Sequence, residues 1–130
     1  MTFAELAAWY KKKTGFIVPE IEGYKLEYYP EHGFCQWRIA EMDGIKAVGV
    51  AHTATHDVFW WIKLLTYYGW CSGAEWLHTQ TPRNPEAYCK LTGTTRFPRT
   101  DETMPDGRKL YGVIRYIGKP PQEFHAKEAS

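Results

Sequence analysis

Apolar and polar positions recur with two different periods along this chain, and each change of period marks an element. Thr2 followed by Glu5 forms a capping box, and Phe3, Leu6, Ala7 and Tyr10 share one side of a helical wheel. A first helix over about 3–13, ended by Gly15, is predicted. Over 24–28 and again over 35–39 the period is two, that of half-buried strands, with 30–33 as the turn between them. Asp43-Gly44 is a hairpin signal, and the small, β-leaning apolar run 45–53 that follows suits a central strand. The segment 58–68, interrupted by Lys63, is apolar nearly all round and predicts a buried helix with Asp57 as its cap and Gly69 as its end.

A strand over 74–81 comes next, then a helix over 84–91 with Asn84 as cap, Pro85 at its first position and Gly93 just beyond it. Two last strands, 94–99 and 109–117, are joined by a loop containing Pro105-Asp106-Gly107. The order predicts an α+β fold with a mixed, mostly antiparallel sheet and helices on both faces. Residues 1–117 form one domain in this reading, and 118–130, with Pro120-Pro121 and few apolar side chains, a mobile tail.

Composition narrows the setting. A chain of 130 residues fits one domain with its own core. Cys35, Cys71 and Cys89 are odd in number and lack metal-like spacing, which implies reduced thiols and a cytoplasmic protein. His52 and His56 are four apart but fall in a strand and a loop, so no metal site is expected. The first residues lack a basic region followed by an apolar run, so no signal peptide is expected. The apolar run 58–68 is too short for the roughly 20 residues of a membrane span. A net charge of +1 gives no field to recruit nucleic acid or anionic lipid, and Lys11-Lys12-Lys13 fits a solvated helix end. Aromatic residues reach 16%, and Trp9, Tyr29, Trp60, Trp61, Trp70 and Trp76 are candidate anchors for a protein partner.

The most specific stretch is Arg83-Asn84-Pro85-x-Ala87-Tyr88-x-x-Leu91-x-Gly93, directly after a strand. It resembles the GNAT superfamily of N-acetyltransferases, especially the small GNAT-like proteins of tailed-phage genomes, and the likeness in element order covers about 24–117. One departure is that the first helix here precedes the first strand. The resemblance implies acetyl-CoA as cofactor, its pyrophosphate held by the loop between the 45–53 strand and the 58–68 helix. That loop is Thr53-Ala54-Thr55-His56-Asp57-Val58, with neither the glycine nor the arginine of the family turn. A carboxylate at Asp57 is expected to occupy the helix amides and repel a phosphate. Val50, Thr53, Thr55, His56 and Asn84 are the candidate coenzyme-binding residues, placed where the 45–53 and 74–81 strands part.

The family's general acid is a Tyr four residues before the closing glycine, a position held here by Cys89, with Tyr88 adjacent. Glu41, His52 and His78 are the candidate bases. The resemblance, taken with the altered loop, predicts a catalytically degenerate GNAT-like protein of phage type that binds and modulates a host protein in the host cytoplasm. The alternative is an acetyl-CoA-dependent N-acetyltransferase with a divergent pyrophosphate loop.

Overall fold

The computed structural model describes residues 2–15, 17–18 and 21–120. Helix α1, Phe3–Thr14, opens on the capping box of Thr2 and Glu5 and stops at Gly15 in the left-handed conformation. Strands β1 (Lys25–Tyr29), β2 (Gly33–Met42) and β3 (Ile45–Ala54) form an antiparallel meander. The β2–β3 hairpin turns on Asp43 and Gly44, both at positive φ (47° and 81°), as expected of a tight two-residue turn. Helix α2 (Val58–Ser72) then crosses to β4 (Trp76–Thr81), which lies parallel to β3. Helix α3 (Pro85–Thr92) is capped by Asn84, whose side chain accepts from the Ala87 amide at 3.0 Å. Strand β5 (Thr95–Arg96), a 3-10 turn (Pro98–Thr100), β6 (Glu102–Thr103) and β7 (Lys109–Tyr116) complete the order.

The sheet has seven strands in the order β1-β2-β3-β4-β7-β5, with β6 paired to the side of β7. Of the paired neighbours only β3 and β4 are parallel, joined by the crossover through α2. Alternation along β2 divides the core in two. Cys35 and Trp37 pack with Val48, Leu77, Trp61 and Leu65 under α2, whereas Phe34 packs with Ala54 and Tyr10 under α1. The α+β fold with helices on both faces is therefore as the sequence predicts.

Several element boundaries differ from expectation, two of them at a glycine and a proline. Helix α2 does not end at Gly69 but runs to Ser72, with Gly73 as its left-handed end. Gly69 is buried inside the helix, where a β-carbon would lie 2.6 Å from Ile117 Cδ1 and 3.2 Å from Val48 Cγ2, so its role is close approach of helix to sheet. The predicted 94–99 strand is cut to two residues, since Pro98 has no N–H for a ladder and starts a 3-10 turn instead. Of the expected tail, Gly118 still donates its amide to the Glu75 carbonyl at 3.3 Å, and residues 121–130 lie outside those described.

Candidate functional site

The β3–β4 ladder ends early. Its register runs from Ala47 opposite Trp76 to Val50 opposite Thr79, and the Thr79 hydroxyl donates to the Val50 carbonyl at 3.0 Å. Beyond that point β3 stays with β2 as far as Ala54, while β4 continues with β7 as far as Thr81. The two parallel strands part at Val50 and Thr79.

A bulge in β3 falls at the same place. Trp37 pairs with Val50 and Cys35 with Thr53, so two β3 residues, Ala51 and His52, oppose the single residue Gln36. The extra residue reverses which face each later side chain takes. Thr53 joins Val50 on the α2 face, and His52 goes with Ala54 to the α1 face, where the Tyr10 hydroxyl and His52 Nδ1 pair at 2.7 Å.

A cavity of about 70 Å³ opens where the strands part, between α2 and α3. Val50, Thr53 and Thr55 line it from β3 and the following loop, Val58 and Trp61 from α2, and Tyr88 from α3. Arg115 of β7 borders it too, its guanidinium donating to the carbonyls of Thr92 (3.1 Å) and Gly93 (3.4 Å) at the end of α3. That bond fixes the helix that carries Tyr88.

No family model and no curated protein matches the chain. Among solved structures, FeeM, an N-acyl amino acid synthase from uncultured soil microbes, is similar with a TM-score of 0.64 at 9% identity over 88% of each chain. The ribosomal-protein-S18-alanine N-acetyltransferase of Escherichia coli is similar with a TM-score of 0.54 at 13% identity over 96% of each chain. The chain has a GNAT-like fold.

Within that GNAT-like fold the residues singled out from the sequence are dispersed. Val50, Thr53, Thr55 and Tyr88 border the cavity, and Cys89, one position along α3, does not. Burial pushes the Tyr88 phenol above its ordinary value, against a weaker opposing pull from Arg83. Asn84 is an exposed helix cap, and His56 is exposed on the loop and outside the cavity lining. Glu41 lies near the end of β2, exposed and paired in register with Lys46 at the start of β3 next to the hairpin turn, far from the cavity. His52 is turned to the α1 face. Of the three base candidates only His78 borders the cavity, its Nε2 pairing with the Thr100 hydroxyl at 2.8 Å. Burial lowers the values of both His52 and His78, which keeps each imidazole neutral near pH 7.

Asp57 departs most from expectation. No side chain caps α2. The Asp57 carboxylate instead accepts from Thr55 Oγ1 at 2.8 Å and pairs with His32 Nδ1 at 2.5 Å. These bonds, that of His32 first, hold the carboxyl below the usual carboxylate range. His32 was not legible as a partner in the sequence: it sits in the β1–β2 turn, stacked on Trp60 with ring centroids 3.7 Å apart, and reaches Asp57 only because β2 and β3 pair there. Its carbonyl also accepts from Trp61 Nε1 at 2.7 Å, which ties the turn to the start of α2.

Cys35, Thr92 and Thr94 are cavity residues that sequence reasoning missed. The Thr92-Gly93-Thr94 run flanking the α3 end was a usable signal, and Cys35 carried none.

Proposed function

We propose that the chain is an N-acyltransferase that takes an acyl group from a coenzyme A thioester seated where β3 and β4 part, and passes it to an amine. The observation that carries this reading is the coincidence of three features at one point: the end of the β3–β4 ladder, the bulge, and a cavity bordered by Tyr88. Past Val50 the edge of β3 toward β4 has no strand partner, so its backbone groups are the ones to meet the amides of a pantetheine arm. Asp57 is held by His32 and Thr55 and leaves the first-turn amides of α2 uncapped by any side chain, which fits a phosphate at that helix start.

The bound thioester supplies the acyl carbonyl and a thiolate leaving group. Tyr88, with its phenol pushed up by burial, is protonated at neutral pH and holds a proton at Oη for the departing sulfur. His78 alternates with Leu77 and Thr79 along β4, so its imidazole lies on the opposite face against Thr100, and the proton of the attacking amine passes to solvent water. The balance is one C–N bond formed, one C–S bond broken, one proton moved from amine to water and one from phenol to thiolate. Exchange with solvent returns the proton to the phenol.

The test is thioester discharge to a panel of primary amines by the wild type and by Tyr88→Phe. Loss of the acid is expected to lower kcat by a factor of about 100 or more with KM little changed, the usual scale for a positioned proton donor. An unchanged kcat would remove Tyr88 from this role.

The sequence of the 53–57 loop favours a second reading, a catalytically degenerate GNAT-like protein that binds a host protein. That loop has neither the glycine nor the arginine of the family turn, and Trp9 and Phe59 expose 43% and 53% of their surface. Of the other candidate anchors, Tyr29 is exposed, Trp61 is buried in the core, and Trp60, Trp70 and Trp76 are half-buried. Failure of any coenzyme A thioester to bind at millimolar concentration would move the balance to this reading.

A further inference from the structure

The cavity has a polar mouth and an apolar floor. Thr53, Thr55, Thr94 and Tyr88 border it at accessible or half-buried positions, whereas Cys35, Trp61, Leu65, Leu77 and Val113 are buried, as is Thr92, whose hydroxyl is engaged by the Tyr88 carbonyl and Thr94. The floor carries no charge. Burial pushes the Cys35 thiol up to about 12, so it packs as a small apolar group, and the Arg115 guanidinium is spent on the α3 carbonyls. Water gains little in such a space, since each molecule needs two or more polar partners.

An acetyl group leaves that floor empty. A void beside close-packed side chains forfeits the dispersion contacts its walls would otherwise make. We propose that the donor carries a short apolar acyl chain, with about three carbons beyond the carbonyl, seated on this floor. The inference rests on the thioester reading above and adds the class of acyl group. The length follows from size: an engineered apolar cavity of about 150 Å³ takes the six carbons of benzene, so on that scale the whole 70 Å³ takes about three at most. Trp61 and Leu65, buried at 2% and 4% exposure, close the far side and exclude a fatty chain.

The experiment is calorimetric titration of the wild-type chain with coenzyme A, acetyl-CoA, butyryl-CoA and octanoyl-CoA, which needs no acceptor amine. Butyryl-CoA is expected to bind at least tenfold more tightly than acetyl-CoA, because each methylene in an apolar pocket is worth roughly tenfold or more. Octanoyl-CoA is expected to bind more weakly than butyryl-CoA. Leu65→Ala lengthens the floor and is expected to move the optimum to hexanoyl-CoA. If that variant does not fold, the wild-type series decides alone. Equal or tighter binding of acetyl-CoA, or tightest binding of octanoyl-CoA, overturns the chain-length inference and leaves the acyltransferase reading standing. No binding by any of the four at millimolar concentration overturns both.

Discussion

Asp57 stands at the start of α2, yet its carboxylate is turned to His32 and Thr55 and takes no part in capping. The charge still lies near the place proposed for phosphates. Asp57→Asn is therefore expected to tighten coenzyme A binding by about two- to fivefold, the scale of one charge at a helix end. Calorimetry checks this, and weaker binding would mean that the carboxylate supports the site. The two half-buried histidines set a pH dependence whose sign is fixed. Burial lowers the folded-state values of His52 and His78 below the ordinary value of about 6.5. Above that value both states are neutral and stability is full. As pH falls from about 6.5 toward the lowered folded values, the unfolded chain takes up protons first and stability is lost. Chemical denaturation between pH 7.5 and pH 5 is expected to show this loss, and a His52→Gln/His78→Gln double variant is expected to flatten the slope. An unchanged slope would show that these imidazoles are not the groups responsible.

At the scale of elements, most of the architecture was legible, and each miss has a local cause. The capping box, the Asp43-Gly44 turn, the Asn84 cap and Gly93 are short-range signals, and each appears where it was read. Gly69 misled because a glycine near the end of an apolar run fits either a helix stop or a close approach to a sheet, and sequence alone does not separate the two. Its burial against Ile117 and Val48 predicts that Gly69→Ala destabilises by about 1–3 kcal/mol through overpacking. Thermal melting checks this, and a wild-type Tm would show that the helix shifts without strain. Asn84→Ala is expected to cost about 1 kcal/mol, since the side chain caps α3 and lies outside the cavity lining. The bulge in β3 was not legible at all. The 45–53 run is uniformly small and β-leaning, so its alternation carries no mark of the extra residue that turns Thr53 to one face and His52 to the other.

Over the whole molecule, the candidate site is assembled by topology and not by any contiguous motif. The floor comes from β2, β4, β7 and α2, elements far apart in sequence, and this is why Cys35 and Val113 were invisible as site residues while Tyr88, inside the 83–93 stretch, was at least considered. The same stretch pointed by counting to Cys89, and helix geometry places Tyr88 at the cavity. Two solved proteins at 9% and 13% identity share the fold, so the fold is found here with little sequence in common. In the proposed function the parting of β3 and β4 holds a coenzyme A thioester. Calorimetric titration with butyryl-CoA measures this: one site with micromolar Kd is expected, weakened at least tenfold in Val50→Phe, which fills the mouth of the cleft. No heat of binding at millimolar butyryl-CoA, or equal affinity in a folded Val50→Phe variant, would contradict it.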